Sequence, residues 1–364
     1  MKRCLSIVII SFVFLTGCTV GREGQKENIQ DNHHTETLAN KYEVIADQLK
    51  IPWSIDKIGE TIFVSERVGS IVKIENGQTV RQKVLLDKPL SNAAEAGLLG
   101  FVLSPEFLDT NEAYAYYTYE SEGGQFNRIV ILTLENDTWK EKRTLVDRIP
   151  SGAFHHGGRL KIGTDGKLYA STGDATIREI AQDTESLGGK ILRMNLDGSV
   201  PSDNPFPKSY VFSYGHRNPQ GLTWTEEGTL YESEHGQSAH DEINLIEAGK
   251  NYGWLVIQGN ETKVGMESPL FHSGDNETWA PSGMAYKEGK LYVAALRGTS
   301  IIEFDLKQKS SEKIVTGLGR IRDVYIDGDR LYFISNNTDG RGNPDPKDDK
   351  LYQISLKSAL VATD

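Results

Sequence analysis

The chain has 364 residues, of which 51 are acidic and 40 basic, for a net charge of −11. That balance argues against a nucleic-acid binder, which normally carries a basic face. The two cysteines, Cys4 and Cys18, both fall near the N-terminus, so the body has to be stable without disulfides.

The first element is a leader. Lys2 and Arg3 precede an apolar run from Leu5 to Leu15, too short to span a bilayer as a helix. Leu15-Thr16-Gly17-Cys18 matches a bacterial lipoprotein lipobox, which predicts a signal peptide over residues 1–17 and a lipidated Cys18. The alternative is an ordinary secretory leader with an incidental cysteine. Residues 19–38, TVGREGQKENIQDNHHTETL, are polar and without apolar period. With Cys18 they read as a flexible tether over 18–40. The chain is therefore expected outside the cytoplasm, on the membrane by its lipid alone, because no other stretch is long and apolar enough to cross.

Roughly 325 residues remain for the body, enough for one or two domains. They show short β-type runs separated by Gly, Asp and Asn turns. In chain order these include TIFVSER, IVKIENG, AYAYYTY, RIVILTL, KLYAST, KILRMNL, TLYESE, KLYVAAL, IIEFDL, RLYFIS and LYQISL. The recurring pattern is a strand, a turn such as Asp-Gly or Glu-Gly, and then Leu-Tyr. Six such units begin near Ile51, Gly97, Gly157, Asn218, Pro281 and Arg320, spaced roughly 40 to 60 residues apart as in propeller blades. The expected fold is all-β, a six-bladed β-propeller of four-stranded antiparallel blades over residues 41–358. YEVIADQL (42–49) would supply the strand that closes the ring beside KLYQISL. A seventh blade within 258–280 and a pair of β-sandwiches are the alternatives, although sandwiches do not account for the repeat.

The polar residues that recur at unit boundaries are the candidates for chemistry. AEAGLLGF, FHHGGRL, YGHRNPQGL, ALRGTSII and GRIRD supply Glu95, His155, Arg217, Asn218, Arg297, Arg320 and Arg322. Four arginines on one channel of an acidic protein repel one another. Either a bound polyanion offsets that, or each arginine pairs with a neighbouring carboxylate such as Asp323.

Several of these segments resemble the soluble glucose and aldose sugar dehydrogenases that depend on pyrroloquinoline quinone (PQQ). HHGGRLKIGTDGKLYASTGD, SLGGKILRMNLDGSVPSDNPF, SYGHRNPQGL, DEINLIEAGKNYGW, APSGMAY and GRIRD match in order across most of residues 45–355. The resemblance implies a six-bladed propeller that oxidises the C1 hydroxyl of an aldose to a lactone by hydride transfer to the quinone. It implies that His155, two places before Gly-Gly, is the general base and that Asp174 orients it. Arg217 and Asn218 match the pair that contacts the quinone. Arg320 and Arg322 match the arginines that hold cofactor carboxylates. Arg297 lies, across a one-residue gap, where the family has a basic residue, and Glu95 where it has Gln or Glu near quinone and sugar. Calcium is the implied metal. One ion would take the carbonyls of Gly236 and Gln237, and a second would sit near Glu242 and the Tyr252 carbonyl; a surface carboxylate is the alternative for Glu242.

Two departures shape the expectation. Phe154 stands where relatives carry Asp or Asn able to bind sugar hydroxyls. The long insertions of the glucose-specific branch are absent, which places the chain nearer the aldose branch and predicts a monomer. A cell-surface propeller that binds a sugar or partner without redox turnover is the alternative. A metal-dependent lactonase would need carboxylates and Asn around an axial calcium, and the matching loops do not offer that set. Which sugar and which electron acceptor are used is not legible.

Overall fold

The computed structural model describes residues 42–359. The leader, Cys18 and the tether lie outside them. The described residues are almost entirely β. Strand β1 (Glu43–Ala46) stands alone at the start. It is followed by β2 (Pro52–Ile58), β3 (Thr61–Glu66), β4 (Ser70–Glu75) and β5 (Gln78–Leu85). Next come β6 (Leu98–Leu103), β7 (Glu112–Ser121), β8 (Gly124–Glu135) and β9 (Thr138–Pro150). These eight form one sheet, ordered β2-β3-β4-β5-β9-β8-β7-β6, whose halves join through the parallel β5–β9 pair.

Three four-stranded antiparallel sheets follow. The first holds β10 (Leu160–Ile162), β11 (Leu168–Thr172), β12 (Lys190–Met194) and β13 (Val211–Tyr214). The second holds β14 (Pro219–Trp224), β15 (Leu230–Glu234), β16 (Glu242–Ile246) and β17 (Phe271–His272). The third holds β18 (Pro281–Lys287), β19 (Lys290–Ala295), β20 (Ser300–Asp305) and β21 (Ser310–Thr316). The last sheet contains β22 (Ile321–Asp327), β23 (Arg330–Ser335) and β24 (Leu351–Ser355), with β1 as its fourth strand. The segment 258–280 contributes only β17, so no additional sheet arises there among the described residues.

KLYAST, TLYESE, KLYVAAL and RLYFIS are the second strands of their sheets, LYQISL is a third strand, and burial explains their composition. β11, β15 and the last five residues of β19 and β23 are buried at every position. A strand covered on both faces loses the usual alternation and reads as a continuous apolar run. What covers it is the next sheet. Phe63 and Phe101 meet between β3 and β6, Tyr169 and Trp224 between β11 and β14, and Trp279 and Phe304 pack beside Tyr231. Turn chemistry sets the hairpins: Asn76 and Gly77, between β4 and β5, both sit at positive φ, as a two-residue type I′ turn requires.

The first strands lean on one another in a closed series. β2 adjoins β6, β6 adjoins β10, β10 adjoins β14, β14 adjoins β18, β18 adjoins β22, and β22 adjoins β2. Where they converge, the interior is polar. Arg159, just before β10, pairs with Asp323 of β22 at 2.9 Å, each side chain 1% exposed. Asp323 also accepts the Ile55 N–H, while Arg159 donates to the Gln220 carbonyl and lies over the Trp53 ring. Asp323 is therefore spoken for, and it is not the partner of Arg320 or Arg322.

Removing one half of a buried ion pair leaves the other charge unpaired. Asp323→Ala is expected to lower stability by about 3–5 kcal/mol, read as a shift of the urea midpoint. A midpoint within experimental error of wild type would show that the pair contributes little.

Candidate active site

In each sheet the start of the first strand pairs with the end of the second, as in Pro52 with Glu66, Pro219 with Glu234 and Ile321 with Ser335. Residues just before first strands and just after second strands thus share one end of the ring. His155, Arg217, Asn218, Glu95 and Arg320 belong to the first group. Asp174, His235, Arg297, Asp339 and Arg67 belong to the second.

His155 lies in the loop between β9 and β10 at φ +62, a left-handed conformation uncommon for a side-chain-bearing residue. Gly157 has the same φ, and a Cβ there would stand 2.6 Å from the Ser171 carbonyl oxygen. The loop is thus pressed onto β11, which brings His155 to the residue after that strand. Nδ1 of His155 lies 2.7 Å from Oδ1 of Asp174. Asp174 is fully buried. Burial raises its carboxyl, but the His155 contact, the Thr176 N–H and the Trp254 indole outweigh that and hold it below the ordinary value. An ionised carboxylate only accepts, so the proton of the pair sits on Nδ1 and the Nε2 lone pair is left available. The histidine side chain keeps 18% exposure.

Beside this pair is a cleft lined by Arg67, Glu95, His156, Gln220, Arg322 and Arg341 among others. Arg322 donates to Gln220 and Asn336. Arg320 pairs with Asp339 at 3.0 Å, and Arg341 bridges Glu95 at 2.7 Å and Asp339 at 3.1 Å. Arg67 holds both sides of the Glu95 turn through the carbonyls of Ala94 and Ala96. Four guanidinium groups (Arg67, Arg320, Arg322, Arg341) therefore face two carboxylates (Glu95, Asp339). Burial and then the neighbouring Arg320 push Arg322 down to about 9. Burial raises Glu95, but Arg341 outweighs it and holds the group at about 2. Glu95 also accepts the backbone N–H of His155.

Arg217 is fixed through its own N–H to Glu234, and through Nη1 to the His235 carbonyl. Asn218 accepts the Gly157 N–H. Several buried polar atoms here lack a partner: Nε of Arg217, Nδ2 of Asn218, Nε of Arg320 and Nε2 of both His156 and His235. The arginine and asparagine nitrogens are donors, and buried donors are normally satisfied, so they fit a ligand rich in acceptors. Arg297 is exposed, and its side chain has no hydrogen bond among the described residues; its backbone N–H meets the Trp279 carbonyl.

The proposed metal positions differ in kind. Asp241 braces the loop 235–241 by accepting from Gly236, Thr278, Trp279 and Ala280. The carbonyls of Gly236 and Gln237 take no hydrogen bond from the described residues, which suits an oxygen-preferring cation. Glu242 is no surface carboxylate: it is buried beside Glu232 and Glu234, all three reached by the Asn244 amide. Burial and then Glu234 push Glu242 up to about 8. Oε1 of Glu232 and Oδ1 of Asn244 have no partner. His216, Glu232 and Glu234 offer ligand atoms within 4.8 Å of one another, and Tyr252 stacks on His216.

Arg67, His156, Gln220, His235, Trp254, Asp339 and Arg341 were not singled out from the sequence. A positional signal exists for three of them: Arg67, His235 and Asp339 follow second strands, as Asp174 does. Gln220 and Trp254 carry no such mark.

A family model described as Glucose / Sorbosone dehydrogenase matches residues 49–345. Aldose sugar dehydrogenase YliI of Escherichia coli is 31% identical over 345 residues, 82% of this chain and 90% of that protein. Quinoprotein glucose dehydrogenase B of Acinetobacter calcoaceticus is 32% identical over 251 residues, 60% of this chain and 52% of that protein. A PQQ-bound aldose sugar dehydrogenase from Streptomyces coelicolor superposes with a TM-score of 0.81 at 36% identity, covering 86% of this chain and 96% of that one. An all-β, propeller-like ring with its polar residues gathered at one end is the class these features define. The chain belongs to the glucose/sorbosone dehydrogenase family.

Burial pushes His156 down to about 4, whereas an unfolded histidine titrates at about 6.5. Between those values the unfolded chain binds a proton that the folded one does not, so stability falls as pH drops through that window. The expected loss is about 3 kcal/mol. His156→Gln should flatten the slope of unfolding free energy between pH 6.5 and 4, and an unchanged slope would show that His156 is not the group responsible.

Proposed function

We propose that residues 41–358 form a six-bladed propeller, the eight-stranded sheet counting as two blades, and act as a PQQ-dependent aldose sugar dehydrogenase. The observation that carries this reading is the His155–Asp174 pair standing beside buried, unpartnered donors and a surplus of guanidinium groups. An anionic, acceptor-rich cofactor next to a prepared base suits that arrangement better than a neutral ligand does.

Arg320 and Arg322 would hold cofactor carboxylates, with Arg217, Asn218 and Glu95 along its edge and Arg297 reaching in from the rim. When bound, PQQ supplies a two-electron acceptor for the hydride on C1 of the sugar. His155 Nε2 would take the C1 hydroxyl proton as the C1–H bond gives up its hydride, so that C1–OH of the already closed sugar ring becomes the lactone carbonyl. Asp174 fixes the tautomer and stabilises the imidazolium that forms. Arg217 offsets negative charge that develops at its side of the site. Calcium would take the Gly236 and Gln237 carbonyls, and a second ion the Glu242 carboxylate near Tyr252. Phe154, 44% exposed beside the base, presents an apolar face where a hydrogen-bonding one would favour glucose.

The chain is further proposed to act outside the cytoplasm as a monomer anchored to the membrane by lipid on Cys18. Cys18→Ala should then move the protein out of the membrane fraction; a variant that fractionates like wild type removes the anchor.

Apoprotein titrated with PQQ and Ca²⁺, then given aldoses and an artificial dye, tests the enzyme reading. Arg320→Ala and Arg322→Ala should each weaken cofactor binding by about 1.5–3 kcal/mol. His155→Ala should bind cofactor and turn over roughly 10²–10⁴-fold more slowly. Asp174→Asn should lose much of the rate, and His156→Ala far less. If wild type reduces bound quinone with no aldose, a binding propeller without turnover replaces this reading.

A further inference from the structure

Asp174 has two carboxylate oxygens, and only one faces His155. Oδ1 accepts from His155 Nδ1 and from the Thr176 N–H at 2.8 Å. Oδ2 receives the indole N–H of Trp254 at 2.7 Å. Trp254 is contributed by the segment after β16, 80 residues further along the chain, and is 5% exposed. Its backbone is clamped: the N–H donates to the Gly215 carbonyl, and its own carbonyl accepts from Gln182. Gln182 is in turn paired with Asn251. The indole is thus a fixed donor, not a side chain that happens to drift near a carboxylate.

We propose that Trp254 is a positioning residue for the His155–Asp174 pair, its indole N–H setting which nitrogen of His155 carries the proton. An indole N–H can only donate. With Trp254 facing Oδ2 and the Thr176 amide facing Oδ1, a protonated Asp174 has no outlet for its own hydrogen toward either neighbour. The carboxyl is held as an acceptor on both oxygens. Both donors favour the ionised carboxylate, to which His155 supplies a hydrogen through Nδ1, leaving the Nε2 lone pair outward. The same contact stops the carboxylate from rotating, since a turn about its Cβ–Cγ bond would break both anchors. Trp254 has a second effect. The Arg217 guanidinium lies 5.2 Å from its ring centroid and that of Arg178 5.8 Å, so its ring is also a shelf for Arg217. One side chain sets the base on one edge and a cation on its face.

The catalytic consequence rests on His155 being the base, while the tautomer does not, and the test separates them. Trp254→Phe keeps a ring under Arg217 and removes the N–H. In ¹⁵N-labelled apoprotein, wild-type His155 should show a single Nδ1–H tautomer with a downfield, exchange-protected proton; Trp254→Phe should show a tautomer mixture and lose that protection. In the loaded enzyme, Trp254→Phe should lower kcat by roughly 10–100-fold, the span of one hydrogen bond to a charged group, with KM and PQQ affinity near wild type. Trp254→Leu, which also removes the shelf, should weaken PQQ binding as well. A wild-type tautomer signature in Trp254→Phe overturns the proposal, as does an unchanged kcat in an active enzyme. If the variants do not fold, the Trp254 indole proton of wild type decides: downfield and slow to exchange supports the contact, and solvent-like refutes it. A locked tautomer in a wild type that oxidises no aldose would leave the positioning role standing and remove the enzyme reading.

Discussion

Arg159 and Asp323 meet where the first strands converge, and the cost of burying two charges there is several kcal/mol per ion before any attraction is counted. The structure offsets it with directional contacts drawn from two other strands. Asp323 takes an N–H from β2, and Arg159 gives a hydrogen to β14 and rests on a tryptophan of β2. On β18 the backbone comes so close that a Cβ at Gly283 would lie 1.6 Å from the Asp323 carboxylate. A pair with this many partners is satisfied in only one arrangement of the ring. Apolar contact between sheets would tolerate sliding; this network does not. Arg320 and Arg322 flank the strand start that bears Asp323, and His155 lies four residues before Arg159. The site inherits its geometry from the axis beneath it.

The charges at the mouth are organised differently. Along the axis Arg159 and Asp323 pair one to one, whereas at the mouth Arg341 shares Glu95 and Asp339 with its neighbours, and several N–H groups go unused. Arg320, Arg341 and Arg322 outweigh the desolvation of Asp339 and keep it below the ordinary carboxylate range. Both carboxylates are therefore biased toward the ionised form. They hold the guanidinium groups in place without neutralising them, and the remaining field is positive inside a protein whose overall charge is negative.

Much of this was legible because strand position and chemistry coincide. Four of the five Leu-Tyr runs mark second strands, since the start of a strand covered on both faces is apolar. The unit starts inferred near Gly97, Pro281 and Arg320 fall within a residue of β6, β18 and β22. The pairing of YEVIADQL with the last strand also stands. His155 and Asp174 were found as a loop and a strand end nineteen residues apart. What stayed hidden depends on packing between distant segments. Nothing local marks Arg341, on a turn-rich stretch near the C-terminal end, as reaching Glu95 across 246 residues. Asp323 looked like a counterion for the mouth arginines because it is adjacent in sequence, but its side chain points to the axis. Glu242 is implied near a second calcium by resemblance, but its burial shows only once β15 places Glu232 and Glu234 against it.

The pairing of β1 with β24 has a consequence for how the chain is made. Gln353 meets Glu43 across 310 residues, so the seam cannot form until nearly the whole chain exists. At about 5–20 residues per second, a ribosome leaves the first strand waiting tens of seconds for its partner. Throughout that interval the growing chain presents an unpaired edge, the kind of surface on which strands of other molecules add. Completion, not initiation, is the vulnerable moment in its biogenesis. A truncation a few residues short of β24 would forfeit the last sheet's closure along with its tail.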